Sequence, residues 1–145
     1  MKTLLPAGWK RPRGYANGIE AQGRLVFVAG QIGWTAEEVF ATDDLAGQVR
    51  QALENVVAVL TEAGANPRHI ARMTWYVTDK RDYRASAKAI GAAYREVIGE
   101  HYPAMTLVEV KALLEDRAKV EIEATAVIPA GGRVSPSGMR PPGLR

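Results

Sequence analysis

A chain of 145 residues with 47% hydrophobic side chains is long enough for one compact domain with a single core. It has no cysteine, which excludes disulfides, thiolate zinc sites and cysteine nucleophiles. No apolar run approaches the roughly 20 residues of a membrane-spanning helix, and the start lacks the apolar stretch of a secretory signal. We therefore expect a cytoplasmic protein with no membrane partner.

The net charge of +3 comes from the two ends of the chain. Residues 15–130 carry 12 basic and 16 acidic side chains, so the middle of the chain is acidic. We expect a basic N-terminal segment (1–14), one domain (15–130) and a flexible tail rich in Pro, Gly and Arg (131–145). Because phosphate binding needs a basic surface on the folded domain, this pattern argues against a nucleic-acid partner.

The first strong β pattern is "GRLVFVAGQIGW". Its apolar run from Leu25 to Ala29 is rich in β-forming residues and ends at Gly30 and Gly33, which predicts a buried strand running into a bulge or tight bend. Residues Tyr15 to Glu20 are predicted to pair with it through a turn at Gln22-Gly23.

The segment "TDDLAGQVRQALENVVAVLTEAGA" gives the clearest helix pattern. Asp43 or Asp44 can cap its start, and Gly64 suits a left-handed stop at its end. The apolar residues recur at three- and four-residue spacing, as expected for one buried face: Leu45, Val49, Leu53, Val56, Leu60 and Ala63.

Alternation in "HIARMTWYVTD" predicts a strand, and a second helix is predicted from about Tyr83 to just before Gly99. One face of the strand is expected to carry Ala71, Met73, Trp75 and Val77, and the other Arg72, Thr74, Tyr76 and Thr78. The inward face of the helix is expected to carry Ala87, Ile90, Tyr94 and Val97.

Two further strands, Met105–Lys111 and Lys119–Ile128, complete a mixed sheet with two helices on one face. This is a two-layer α/β (α+β) arrangement, whose middle β-α-β unit should be a right-handed crossover. The opposite sheet face still carries apolar groups such as Trp75 or Leu107. Because such a face is usually hidden against another subunit, we expect a homo-oligomer.

The last two strands are predicted to pair as a hairpin around "ALLEDRA". That register pairs Glu109 with Glu121, Lys111 with Lys119 and Met105 with Thr125. In this register Glu109 lies diagonally across from Lys119, and Lys111 from Glu121, so opposite charges are close to each other. The charged face is interpreted either as a solvated ladder or as a cleft wall where one carboxylate orients a water, and spacing does not separate these two readings.

Motifs for metals and cofactors are lacking in the sequence. His69 and His101 have no companion at ligand spacing, so each is interpreted as structural or as a surface residue. No phosphate loop is present, and "GQIGW" lacks the glycine pattern and the helix start of a dinucleotide site. Neither a metal nor a cofactor is expected.

Four segments in one order resemble the Rid family of reactive-intermediate imine deaminases, also called YjgF/YER057c/UK114 proteins. They are "GYANGIEAQGRLVFVAGQIG", "QVRQALENVVAVLTEAGA", "MTWYVTD" and "YPAMTLVEVKAL…KVEIEATAV", and they cover roughly residues 12 to 128. The resemblance implies a chorismate-mutase-like fold, a homotrimer and a small-molecule ligand in clefts between subunits. It also implies cofactor-independent hydrolysis of enamines and imines such as 2-aminoacrylate, in which water adds to the C=N carbon and ammonia leaves as a ketone forms.

The resemblance assigns candidate site residues by matching positions. Tyr15 matches the family's cleft tyrosine, with Ala16 in place of the usual serine, and Glu121 falls on the acidic residue that positions water. The catalytic candidates are Glu121, Tyr15 and Thr106, and the substrate-binding candidates are Met105, Leu107, Gly30 and Gln31.

Met105 departs from the family pattern. The deaminase branch reads "Pro-Ala-Arg-Ser/Thr", with an arginine that grips the substrate carboxylate, whereas this chain reads "Pro-Ala-Met-Thr". A thioether has no charge and no strong donor, so carboxylate binding should weaken by roughly two orders of magnitude. We expect either a deaminase with an altered substrate range, favouring a less acidic and more apolar ligand, or a non-catalytic trimeric module that binds a small metabolite or a protein.

Three subsidiary points stay open or rank low. Lys111 lies about 20 Å along the strand from Met105, too far to replace the arginine, whereas Arg50 or a neighbouring subunit's arginine stays open. Trp34, Trp75 and Tyr76 are interpreted as packing residues or as aromatic walls of the cleft. Ribonuclease activity, which has been attached to some relatives, ranks last because the domain is acidic and no His or Lys group suits phosphodiester cleavage.

Overall fold

A computed structural model describes residues 1–130, so the prediction of a flexible tail at 131–145 lies outside the described residues. The strands are β1 (Lys2–Leu4), β2 (Gly18–Glu20), β3 (Arg24–Ile32), β4 (Ile70–Val77), β5 (Ala104–Glu109) and β6 (Val120–Ile128). The helices are α1 (Leu45–Glu62), α2 (Lys80–Ala85) and α3 (Ala87–Val97), and a 3-10 turn spans Pro67–His69. Within residues 1–130, no helix has both the length and the apolar character needed to cross a membrane.

The main sheet is mixed and has the strand order β3-β6-β4-β5. β6 lies antiparallel between β3 and β4, and β5 pairs parallel to β4 at the edge. α1 packs on β3 and β6 and also contacts α3, so the helices form one layer over the sheet. The two-layer α+β arrangement predicted from the sequence is confirmed, including a parallel β-α-β unit formed by β4, the helices α2 and α3, and β5.

The predicted hairpin of the last two strands is wrong. β5 and β6 are not neighbours, because β4 lies between them. Glu121 is paired with Tyr76 of β4 and Ile32 of β3, and Met105 is paired with Met73. Residues 110–119 are long enough to carry the chain past β4, and β6 is apolar enough to be a central strand, since Val120, Ile122, Ala124 and Ala126 are all buried.

The two short N-terminal strands also differ from the prediction. β2 pairs antiparallel with β1 in a separate two-stranded sheet, not with β3. Downstream of Tyr15, the backbone N–H of Ala16 donates to the Pro103 carbonyl at 2.9 Å, and Ala16 bridges Ala104 in parallel. This contact places the Tyr15 segment along the free edge of β5.

β3 contains the predicted bulge. Its pairing with β6 shifts register between Val28 and Gln31, at Ala29-Gly30. The strand is buried on one side only, because Leu25 is 59% exposed and Phe27 is 73% exposed. The prediction of a buried strand therefore holds for one face of β3 only.

α1 forms as the sequence predicts. The Asp44 carboxylate accepts a hydrogen bond from the Gly47 N–H, and the predicted apolar positions are buried apart from Ala63 at the C-cap. Gln48 is also fully buried on this helix, and its side chain bonds the backbone of Thr42, Arg117 and Lys119. These bonds fix the loop that leads into β6.

The second predicted helix is divided into α2 and α3, and its inward face is partly as expected. Ile90 and Tyr94 are buried, Val97 is half-buried, and Gly99 follows with a positive φ of 91°. Ala87 is exposed, contrary to the prediction. Ala87 is the first residue of α3 and comes one turn before the buried Ile90.

Trp75 does not lie on the outer face of the sheet. It is 2% exposed and contacts Tyr83 of α2 and Tyr94 of α3, so it belongs to the core below the helices. Leu107 pairs with Trp75 and packs partly against the same core. The apolar groups on the outer face come instead from Leu25, Phe27 and Val108, which are 59%, 73% and 40% exposed.

We predict that Gly23→Ala destabilises the fold strongly. Gly23 has a φ of +152°, and an added Cβ would lie 2.0 Å from the Ile128 carbonyl oxygen at the end of β6. The free energy of unfolding, measured by urea denaturation, should fall by about 3 kcal/mol. Gly64→Ala is the control, since its φ is +74° with open space around it, and it should lose only about 1 kcal/mol. Equal losses would contradict the close packing at Gly23.

We also predict that Tyr94 makes stability depend on alkaline pH. Burial, and then the neighbouring Tyr102, raise the pKa of Tyr94 in the folded chain above the usual 10.0. The unfolded chain therefore loses this proton first, so stability is fully present below about pH 10 and is lost as the pH rises further.

Urea unfolding of wild type and Tyr94→Phe between pH 8 and 11.5 checks this. At pH 8 the variant should be about 1 kcal/mol less stable, because the hydroxyl no longer donates to the His101 carbonyl. Above pH 10 the wild type should lose stability more steeply than the variant. Parallel curves would show that Tyr94 does not titrate differently in the two states.

Candidate functional site

The acidic candidate lies at the bulge of β3. Glu121 of β6 faces away from the helices, because its neighbours Val120 and Ile122 are in the core. A Cβ built on Gly30 would lie 2.6 Å from the Glu121 Oε1, so the carboxylate rests directly on the bare glycine. Gln31 turns back on this bulge, and its Nε2 donates to the Ala29 carbonyl at 3.0 Å. The fold thus brings Glu121, Gly30 and Gln31 together.

The remaining candidates gather at β5. Met105 and Leu107 are half-buried and pack against the core on the helix side. Thr106 lies between them, is exposed and pairs with Thr74, so it faces the opposite side. Tyr15 is 42% exposed and lies beside the start of β5, where it lines a surface cavity of about 790 Å³ with the N-terminal strands.

The two groups do not meet within one chain. β4 separates β6 from β5, so Glu121 is about 10 Å from β5 across the sheet. Glu121 and Met105 also point to opposite faces, because Glu121 flanks the core residues of β6 and Met105 packs into the core. A small ligand in this chain alone could not touch both.

Met105 lines a cavity of about 480 Å³ between the sheet, α3 and the residues before β2, which we call the Met105 pocket. Its aromatic wall is contributed by Trp75, Tyr83, Tyr94 and Tyr102. Tyr94 and Tyr102 are stacked with ring centroids 5.6 Å apart, and Trp75 lies 6.4 Å from Tyr94. Pockets of this size hold small molecules in many proteins.

Two arginines line the Met105 pocket, Arg13 and Arg95. Neither has an ion-pair partner among residues 1–130. Burial raises the pKa of Tyr102, Glu100 raises it further, and the charge of Arg95 opposes both. By contrast, Arg50, which the sequence left open as a substitute cation, is paired with Glu96. The cations near Met105 are therefore not the ones that sequence reasoning considered.

The outer face of the sheet carries a second polar pair. The Tyr76 hydroxyl donates to Glu123 Oε1 at 2.7 Å, and this bond, followed by burial, raises the pKa of Tyr76. Thr74 and Phe27 line a shallow depression on the same face with Glu123. Tyr76 thus lies on this surface, whereas Trp75 is core and Trp34 packs on Phe40 at 5.9 Å.

Sequence reasoning missed most of the Met105 pocket. Tyr94 was recognised only as a core residue, and Tyr83, Tyr102, Arg13 and Arg95 were not singled out. The available signal was aromatic content: two tyrosines on the predicted helix and one directly before Pro103. In the folded chain β5 pairs parallel with β4, and these rings line the same pocket as Met105.

Both histidines bond the backbone, as predicted for structural residues. His69 Nδ1 accepts from the Asn66 N–H at 3.1 Å, and His101 Nε2 lies 2.7 Å from the Ile70 carbonyl oxygen. In the described part of the chain, no cluster of three or more His, Asp or Glu side chains could hold a metal ion.

Comparison with known proteins agrees with this architecture. The profile of the family described as Endoribonuclease L-PSP matches residues 10–128. The 2-iminobutanoate/2-iminopropanoate deaminase of Salmonella typhimurium is 35% identical over 116 residues, which cover 78% of this chain and 86% of that protein.

Solved structures agree as well. A Rid protein of unknown function from Yersinia pestis, YyfB, superposes with a TM-score of 0.78 and 30% identity, over 88% of this chain and 98% of that one. Escherichia coli TdcF, solved with bound serine, gives a TM-score of 0.64 and 30% identity, over 88% and 99%. The matched length, the sheet order and the relatives lead to one conclusion: the chain belongs to the Endoribonuclease L-PSP family, the Rid proteins.

Proposed function

We propose that the protein is a cofactor-independent imine or enamine deaminase with a substrate range altered by Met105. The relatives named imine deaminases support the reaction class. The environment of Met105 supports the altered substrate range. Its thioether packs into an apolar wall beside Met73 and Leu107. The Met105 side chain is uncharged, so the carboxylate of a small 2-imino acid has no ion-pair partner at this position.

The reaction needs one activated water. The Glu121 carboxylate, supported on Gly30 and open to the outer face, is suited to accept a proton from a water and direct its oxygen to the C=N carbon. The addition gives a carbinolamine, whose nitrogen takes up a proton and leaves as ammonia while the C=O bond forms. Tyr15 would position the substrate through its hydroxyl group. Thr106 would contribute its backbone at the edge of β5, since its side chain faces away from Met105.

This function requires assembly, because Glu121 and Met105 lie apart in one chain. We propose that the protein forms a homotrimer in which Glu121 of one subunit faces the β5 group of the next. The exposed apolar side chains Leu25, Phe27 and Val108 on the outer sheet face support this arrangement, since an apolar face of this kind usually packs against another subunit.

A non-catalytic trimeric module for a small metabolite or a partner protein is the second candidate, and the same Met105 observation favours it. Ribonuclease activity has less support, although the family description names it. Both histidines are engaged with backbone groups, and 15–130 carries more acidic than basic side chains. Phosphodiester cleavage requires side chains free to act as general acid and general base, and a basic surface that binds the phosphates.

Met105→Arg should create activity on a small 2-imino acid. When 2-aminoacrylate is generated by a dehydratase, the wild type should speed the decay of its imine only weakly, and Met105→Arg should raise kcat/KM by about a hundredfold, since the guanidinium restores a paired carboxylate contact. Release of ammonia and pyruvate gives the rate. If neither protein accelerates the decay, imine hydrolysis at this site is wrong and the binding module becomes the better account.

Glu121→Gln, placed on the Met105→Arg background, should remove most of that gained activity, because an amide cannot take a proton from water at neutral pH. Glu123→Gln is the matched control on the same strand and face, and it should keep the activity. The role assigned to Glu121 fails if both variants lose activity equally or if Glu121→Gln retains it.

A further inference from the structure

The aromatic lining of the Met105 pocket is suited to binding a ligand that contains a ring. Four aromatic side chains line the pocket, and Trp75 meets the edge of Tyr83 at 6.5 Å between ring centroids. An aromatic or other large apolar group would gain contacts on this wall that a methyl group could not reach. Met105 adds a flexible, polarisable surface of the type that packs well against rings.

A positive charge lies beside this wall. A Cβ built on Gly91 would lie 3.3 Å from Arg95 Nη1, so the guanidinium folds back over the bare backbone of α3 towards the pocket. Arg13 lines the same cavity from the chain before β2. With no carboxylate paired to either one among residues 1–130, both can accept an anion from outside.

A buried donor in the same wall also lacks a partner. Trp75 is 2% exposed, and its indole Nε1–H has no hydrogen-bond acceptor within the described residues. Leaving such a donor unsatisfied is unfavourable, so buried indoles usually find an acceptor. Because the same indole ring lines the pocket, its N–H signal reports on what occupies the wall.

We propose that the Met105 pocket binds carboxylates with a large apolar or ring-bearing body, and that Arg95 takes the place of residue 105 as the anchor for the charge. Resting on the proposed deaminase function, this defines the substrate class as imines or enamines of bulky 2-amino acids. The ring packs on the tyrosines and Trp75, and the carboxylate lies towards α3 and Arg95. Small 2-imino acids are disfavoured because they cannot fill the wall and reach Arg95 together.

Calorimetric binding of stable ketones tests this without any turnover. The probes are phenylpyruvate, pyruvate as the acid without a ring, and phenylacetone as the ring without an acid. Wild-type protein should bind phenylpyruvate at least tenfold more tightly than either of the other two. Arg95→Gln should weaken phenylpyruvate binding about tenfold, as expected for a partly exposed charged contact, and leave phenylacetone binding unchanged.

Arg84→Gln is the matched control, because Arg84 is also an exposed arginine in the helical layer but does not line the pocket. It should bind all three ketones like the wild type. In nitrogen-15 spectra, phenylpyruvate should shift the indole signal of Trp75, assigned with Trp75→Phe, more than those of Trp9 and Trp34.

The proposal is overturned if phenylpyruvate does not bind, if pyruvate binds as well, or if Arg95→Gln and Arg84→Gln behave alike. It is also overturned if the Trp9 or Trp34 signal shifts in place of that of Trp75. These outcomes can be distinguished from a failure of the deaminase function. If phenylpyruvate binding depends on Arg95 but the protein hydrolyses no imine, the ligand class is supported and the deaminase function is wrong.

Discussion

The pairing of β6 between β3 and β4 is the constraint on which the candidate site depends. As the central antiparallel strand, β6 turns Val120 and Ile122 into the core and so turns Glu121 to the outer face, against the glycine of the β3 bulge. The same sheet places β5 at its edge with Met105 towards the helices. Glu121 and the Met105 pocket, which take part in one proposed reaction, therefore lie on opposite faces of the sheet within a single chain.

The helical layer determines what the pocket can hold. α2 and α3 bring Tyr83 and Tyr94 onto Trp75, and the chain after α3 adds Tyr102. These rings form a firm apolar wall in the place where a charged side chain at 105 would point. In the proposed binding mode the positive charge comes from Arg95 on α3 and not from residue 105 on β5. A ligand must therefore be long enough to reach from the aromatic wall to the Arg95 guanidinium.

Local sequence patterns predicted most of the helices and strands, but they did not predict which strands pair. The α1 caps and buried stripe, the bulge at Gly30 and the single helical layer followed from periodicity and turn residues. The predicted hairpin failed because neighbouring strands in sequence usually pair, whereas β5 lies parallel to β4. Trp75 was misplaced because alternation divides the residues of a strand between two faces but does not show which face the helices cover. The assignment of site residues rested on the family resemblance, and the role of Arg95 depends on folded geometry that spacing does not reveal.

The central claim is that Glu121 and the Met105 pocket form one site only across subunits. Light scattering on the purified protein at neutral pH tests it most directly, since the claim requires a closed assembly. We predict a mass of about 47 kDa, three times the 15.7 kDa chain. A mass near that of one chain would contradict the account, because Glu121 and Met105 would then remain on opposite faces with no shared cleft.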